Sequence, residues 1–122
     1  LIPVAIRIAS TGSQRETSRA KRAEMIKTCF TLLENRIAEK GERTLFLEVI
    51  DPNGQLMAPG DRSPVAMASG VPASAARNLD YTGERMEACV FFTAAVPFEE
   101  GVYTVHLVDG EERIATTDLI LR

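Results

Sequence analysis

The single histidine is the residue of this chain best suited to acid-base chemistry, because imidazole titrates near neutral pH. His106 lies in an alternating run, residues 102–108, in which the larger side chains of Tyr103, Val105 and Leu107 fall on the opposite side. Such alternation directs the larger side chains towards a core. We therefore expect His106 to lie on the surface of a strand and to have no catalytic role.

Carboxylates offer no better candidate for catalysis. Residues 99–100 and 111–112 are Glu-Glu pairs, and adjacent residues of a strand point to opposite faces, so neither pair would converge on a substrate. Asp51, Asn53 and Asp61 carry oxygen ligands near a turn, but their spacing is not that of a helical calcium loop. A calcium ion that staples loops stays open as an alternative, and we assign no catalytic, cofactor-binding or metal-binding residue.

Sequence motifs for hydrolysis, nucleotide binding and thiol redox chemistry are missing. The chain contains no Gly-x-Ser-x-Gly, no glycine-rich phosphate loop and no Cys-x-x-Cys. The sequence therefore predicts a protein that is not an enzyme and that uses no cofactor.

The composition is that of an ordinary folded domain. The 122 residues are 45% hydrophobic and 25% charged, with a formal net charge of -3. The densest basic stretch, residues 15–22, is interrupted by Glu16, followed by Glu24 and free of aromatic residues, so we interpret it as a solvated face and expect no nucleic-acid partner. No apolar run approaches the roughly 20 residues of a membrane-spanning helix, so we expect no membrane insertion of this segment.

The two cysteines, Cys29 and Cys89, are 60 positions apart in the sequence. In an immunoglobulin-type sandwich this separation could bridge two facing sheets. However, the residues two positions away, which share a face with each cysteine in a strand, include Lys27, Thr31 and Glu87. Because both cysteines then face outwards among polar neighbours, the sequence predicts two free thiols.

Alternation and turn signals indicate the elements that carry these residues. Strands are predicted at 4–9, 43–50, 86–94, 102–108 and 113–121, with turns at Asp51-Pro52-Asn53-Gly54 and at Asp109-Gly110. No helix alternates with these strands, which favours an antiparallel sheet arrangement. We expect one all-β domain over 1–122, an antiparallel immunoglobulin-like β-sandwich of about seven strands. Because Leu1 is not an initiator methionine, we also expect a fragment of a longer chain, and the sequence assigns no compartment.

Two segments are ambiguous. In residues 13–40, a capping box at 13–16 and apolar residues at helical spacing predict a short helix near the N-terminus, whereas Thr28-Cys29-Phe30-Thr31 favours a strand. Residues 58–82 are rich in proline, alanine and serine and suit either an irregular binding loop or short edge strands around 64–67 and 79–81. If the domain binds a partner, an exposed sheet edge or this segment would make the contacts.

Several stretches together carry a family resemblance, and they cover most of the chain: Thr17–Ala23, Ile26–Leu32, Glu34-Asn35, Gly41–Phe46, Asp51–Gly54, Glu100–Val105 with Asp109-Gly110, and Leu119–Arg122. With them the chain resembles the C-terminal β-sandwich domains of long bacterial coiled-coil proteins, which are often labelled chromosome-partitioning or segregation-like. The resemblance implies that residues 24–33 form a strand and that a coiled coil precedes Leu1. It implies no catalytic residue.

These observations lead to two functional hypotheses. The first is a non-enzymatic structural or protein-interaction module that caps a longer bacterial coiled-coil protein, with a protein partner of unknown identity and with homo-oligomerisation through the upstream coiled coil. The alternative is a cell-envelope adhesion or carbohydrate-binding domain, assisted by calcium.

Overall fold

The computed structural model describes residues 2–8, 12–32, 41–58, 65–66, 72–94, 96–109 and 112–122. These residues form strands and one short 3-10 turn at Ala20–Arg22. The strands are β1 Ile2–Ile8, β2 Gln14–Thr17, β3 Met25–Leu32, β4 Gly41–Ile50, β5 Val65–Ala66, β6 Pro72–Ala73, β7 Ala75–Tyr81, β8 Met86–Phe92, β9 Gly101–Asp109 and β10 Glu112–Leu121.

Eight strands form two four-stranded sheets, and β5 and β6 form a separate hairpin. The first sheet has the order β2-β1-β3-β8 and the second has the order β10-β9-β4-β7. All pairings are antiparallel. The neighbours β1-β3-β8 and β10-β9-β4 follow the order of an immunoglobulin-like sandwich. The predicted fold class is therefore confirmed, although the described strands outnumber the predicted set.

The core lies between the two sheets and consists of apolar residues at alternating strand positions. Tyr103, Val105 and Leu107 of β9 are at most 2% exposed, as the alternation at 102–108 predicts. Equivalent inward positions on β3, β4 and β8 are Ile26, Phe30, Leu45, Leu47, Val49, Val90 and Phe92. Each strand contributes one side to the core, so its remaining side chains lie on an outer face of the sandwich.

Tyr103 fixes one end of the sandwich. Its hydroxyl accepts a hydrogen bond from the backbone N–H of Glu99 at 2.7 Å and donates one to the Glu99 carbonyl at 2.9 Å, the tyrosine corner of immunoglobulin-like domains. Burial raises the pKa of Tyr103 above 10.0, and the Glu99 hydrogen bond partly opposes this. Beside this corner, a Cβ on Gly101 would lie 2.7 Å from Pro52, so the turn at 51–54 packs closely only against glycine.

Of the two alternatives for residues 13–40, the strand is borne out over Met25–Leu32, and helical structure among the described residues is limited to the 3-10 turn Ala20–Arg22. Residues 14–17 pair with β1 as β2, and residues 25–32 form β3, as the family resemblance implies. The buried residues of β3 are Ile26, Thr28 and Phe30, which recur with a period of two. Pairing with both β1 and β8 outweighs the local capping signal, and residues 33–40 lie outside the described residues.

The described part of the 58–82 segment belongs to the sandwich. The alternative of an edge strand at 79–81 is confirmed, but β7 begins earlier, at Ala75, and pairs with β4. Ser74 is fully buried; its hydroxyl accepts from the N–H of Val49 at 2.9 Å and donates to the carbonyl of Met57 at 2.7 Å. The loop interpretation of 59–64 and 67–71 falls on residues outside the described ones.

Candidate functional site

Cys29 and Cys89 form a disulfide bond, so the prediction of two free thiols is wrong. Both residues do face outwards, but they occupy the same register position on the neighbouring strands β3 and β8, with their Cα atoms 4.0 Å apart. Outward side chains at one register position of adjacent strands are direct neighbours. The sequence argument considered only a bridge between facing sheets, whereas strand pairing places the two sulfurs side by side within one sheet.

The disulfide borders an apolar part of the outer surface of the first sheet, and Thr31 and Glu87 form the polar row on its other side. The register places Ile2 beside Cys29 and Cys89 in one row, and Val4, Lys27 and Phe91 in the next row. We name these six residues the cystine face. Ile2 is 67% exposed and Phe91 is 47% exposed, and the Lys27 Nζ lies 6.0 Å from the centre of the Phe91 ring. The cystine face thus combines large exposed apolar groups with a single cation.

The apolar surface continues beyond the cystine face to the end of the first sheet. Met25 and Thr93 border an open depression of about 460 Å³, which Val96, Pro97 and Phe98 also line. Val96 is 61% exposed. The depression offers shape and apolar contact, which suits recognition of another apolar surface.

An arginine of the second sheet covers part of the edge beside the cystine face. β8 is the edge strand of the first sheet, and Arg77 of β7 donates a hydrogen bond from Nη1 to the carbonyl of Cys89. The side chain therefore connects the edges of the two sheets and satisfies a carbonyl that β3 does not bind.

A second surface collects basic residues from distant parts of the chain. The main chain of Arg122 donates to the Ser18 carbonyl at 2.7 Å and accepts from the Ala20 N–H at 2.8 Å. This pairing brings the last residue of the described chain to the 3-10 turn. The resulting depression of about 610 Å³, which we name the basic cleft, is lined by Ser18, Arg19, Lys21, Arg22, Glu100 and Arg122.

His106 lies on the outer face of the second sheet, as its alternation predicts, and it is half-buried there. Its Nδ1 is 2.8 Å from the Thr116 Oγ1, and Glu48 is its register partner on β4. Burial and the nearby Arg113 lower the pKa of His106, against the opposing influence of Glu48 and Asp118. These groups form a polar row across three strands, and a neutral imidazole is favoured in it.

One of the oxygen ligands considered for calcium, Asp51 Oδ1, is engaged in a turn. Asp51 Oδ1 accepts hydrogen bonds from the N–H groups of Asn53 and Gln55, each at 2.9 Å. Asp61 and Glu111 lie outside the described residues, and Glu99 supplies backbone groups to the tyrosine corner. Within the described ranges, no group of three or more His, Cys, Asp or Glu residues could hold a metal ion.

In the part of the chain that the structure describes, no helix is long and apolar enough to cross a membrane.

Comparison with known proteins groups the chain without assigning an activity. One protein-family model, described as a domain of unknown function (DUF8428), matches residues 3–122. Neither the curated proteins nor the solved structures gave a match.

Proposed function

We propose that this chain, which belongs to the DUF8428 family of domains of unknown function, is a non-enzymatic protein-interaction module whose partner binds the cystine face. The observation that carries the proposal is the exposure of Ile2 and Phe91, at 67% and 47%, on one face around the disulfide. Contiguous exposed apolar groups on a folded domain mark surfaces that another molecule covers.

The chemistry of the cystine face defines the partner. Phe91 and Ile2 are large side chains that can act as anchors in apolar pockets of a partner. Lys27, between them, would pair with an acidic group at the centre or rim of the partner surface. The proposed partner is therefore a protein surface with apolar pockets and at least one carboxylate.

The disulfide supports a compartment for this interaction. Stable disulfides between half-buried cysteines form and persist mainly in oxidising environments such as the cell envelope or the extracellular space. Cys29 and Cys89 are both half-buried and bonded to each other. This observation favours the adhesion alternative, a cell-envelope domain, over a cytosolic module.

The resemblance to C-terminal domains of bacterial coiled-coil proteins labelled segregation-like supplies a context for the proposal. In that context the sandwich would cap a longer chain, and the coiled coil would bring several cystine faces together, which raises the apparent affinity for a multivalent partner. Sustained heptads upstream of Leu1 would support this context, and a signal peptide with a different upstream domain would argue for adhesion alone.

Matched substitutions on the two outer faces test the proposal. Phe91→Glu and Ile2→Asp alter the cystine face, whereas Val102→Glu and Ile120→Asp alter side chains of similar exposure, 48% and 62%, on the second sheet. A partner is first identified by chemical cross-linking to the full-length protein. We expect the cystine-face variants to bind this partner at least about tenfold more weakly than the unaltered protein does. All four variants should keep their thermal stability, because surface substitutions usually change it little.

The controls decide the outcome. Retained binding in Val102→Glu and Ile120→Asp, together with loss in the other pair, supports the cystine face. If all four variants lose binding equally, or if none does, the proposed surface is wrong.

A further inference from the structure

The basic cleft concentrates positive charge on a chain whose formal net charge is -3. Among the described residues that line it, the side chains include four cations, Arg19, Lys21, Arg22 and Arg122, and one carboxylate, that of Glu100. All five are exposed. The local charge is therefore opposite in sign to that of the whole chain, which favours an anionic ligand at this place.

Strand pairing, rather than the local sequence, produces this charge. In the sequence, Glu16 and Glu24 dilute the basic stretch. In the fold, Glu16 pairs with Ile6 on β1, and neither glutamate lines the cleft. The bonds of Arg122 with Ser18 and Ala20 add a fourth cation from the far end of the chain.

The backbone of the cleft is held in place before any ligand binds. Ala20 is 4% exposed, and its N–H is bonded to the Arg122 carbonyl. Arg19 N–H donates to the Thr17 hydroxyl at 3.1 Å, and Arg22 N–H donates to the Arg19 carbonyl at 3.0 Å. Because these backbone donors are used, a ligand would be bound by the side chains, on a backbone that needs little reorganisation.

The types of side chain in the cleft narrow the class of ligand. Guanidinium groups bind planar carboxylates through paired hydrogen bonds. The described residues of the lining include no aromatic side chain on which a nucleobase could stack and no large apolar side chain that could enter a membrane. A depression of about 610 Å³ is wide enough to receive several side chains of a peptide at once.

We propose that the basic cleft is a second binding site, separate from the cystine face, and that its ligand is an acidic peptide segment of a partner protein. Arg19, Lys21 and Arg22 bind the carboxylates, and Arg122 completes the site from the opposite sheet. The Glu100 carboxylate disfavours the binding of a single compact anion and favours a segment whose charges are spaced along a chain.

The test measures binding of a fluorescent hexaglutamate peptide to the 122-residue chain at about 20 mM salt, where exposed charges are weakly screened. We expect Lys21→Glu/Arg22→Glu to weaken binding by at least about tenfold. Arg15→Glu/Arg85→Glu, which makes the same change in net charge with exposed arginines outside the cleft, should retain most of the affinity. Lys21→Gln/Arg22→Gln serves as a second variant if charge reversal impairs folding, as thermal melting would reveal.

Three results would overturn the proposal. The first is no binding of hexaglutamate, and the second is an equal loss of affinity in the control variant, which would indicate a response to net charge alone. The third is tighter, cleft-dependent binding of pyrophosphate or of a single-stranded oligonucleotide than of the peptide. Phe91→Glu should bind hexaglutamate normally. Failure of the basic-cleft proposal therefore leaves the cystine-face proposal standing, and failure of the cystine-face proposal leaves the basic cleft standing.

Discussion

The outer faces of the two sheets both carry apolar side chains, but the chain covers Phe46 and Val108 on the second sheet and leaves Ile2 and Phe91 exposed on the first. On the second sheet, Phe46 and Val108 are 8% and 5% exposed because Ala73 of the β5–β6 hairpin packs with them. On the first sheet, Phe91 is 47% exposed on the cystine face, and no described segment covers it. Apolar residues on an outer face therefore do not by themselves mean an open surface. Ile2 and Phe91, like Val102 and Ile120 of the second sheet, have no such cover among the described residues, and the cystine face differs from that second pair by its disulfide and its exposed aromatic ring.

The remainder of each outer face shows the same contrast. The second sheet continues with a polar row in which His106 contacts Thr116 and Thr104 contacts Asp118. The first sheet has a disulfide at the corresponding central position. Under our proposal, the chain itself covers Phe46 and Val108 on the second sheet, and a partner covers the cystine face on the first.

Loss of the disulfide should have the largest effect on stability. Cys29→Ala/Cys89→Ala removes a covalent link between residues 60 positions apart, so the unfolded chain gains freedom and the free energy of unfolding should fall by about 3–4 kcal/mol. Urea unfolding of the oxidised, reduced and double-variant proteins measures this change. The reduced protein should match the variant, and a loss below about 1 kcal/mol would show that strand pairing alone holds the cystine face.

The next largest effect should come from truncating one phenylalanine on each outer face, because the two variants should differ in their free energy of unfolding. Phe46→Ala removes a buried ring and should lower the free energy of unfolding by about 3 kcal/mol. Phe91→Ala removes a ring that is half exposed and should cost less than about 1 kcal/mol. Thermal melting of the two variants checks the difference, and equal losses would mean that the cystine face is packed against part of its own chain.

The polar row should give the smallest effect, seen as a dependence on pH. Burial and Arg113 lower the pKa of His106 in the folded chain, whereas the unfolded chain keeps the ordinary pKa of 6.5. The stability that the neutral imidazole contributes is therefore fully present above pH 6.5 and is lost as the pH falls below that value. Because the residue is only half-buried, we expect less than about 1 kcal/mol between pH 7.5 and 5.5. His106→Gln should flatten this slope in urea unfolding, whereas an unchanged slope would assign it to other groups.

The strands were predictable where one side of the alternation is buried and the other is solvated. Residues 43–50 and 102–108 follow this pattern except at the covered outward residues Phe46 and Val108, and both segments lie within observed strands. β7 is different, because Ala75 and Ala76 have weak strand preference, and pairing with β4 extends the strand to them. Local pattern therefore locates strands with a clear alternation, whereas the start of β7 follows from its pairing with β4.

Neither candidate surface could be read from the sequence, because both depend on which strands are neighbours. The outward direction of Cys29 and Cys89 was predictable from the polar residues around them, but their adjacency follows from the β3–β8 pairing. Likewise the basic stretch was visible at 15–22, whereas Arg122 joins it only through its bonds with Ser18 and Ala20. Pairing across large sequence separations is the information that local alternation lacks.

The hydrogen bond from Arg77 to the carbonyl of Cys89 affects how copies of this chain behave when they are crowded. An uncovered edge strand can template the strand of another molecule, which is the first step towards cross-β aggregates. Arg77 places a charged group on the edge of β8, where an incoming strand would have to displace it. The domain can therefore present the apolar cystine face on the outer face of its first sheet, while Arg77 at the adjacent edge acts as a gatekeeper residue that opposes fibril growth.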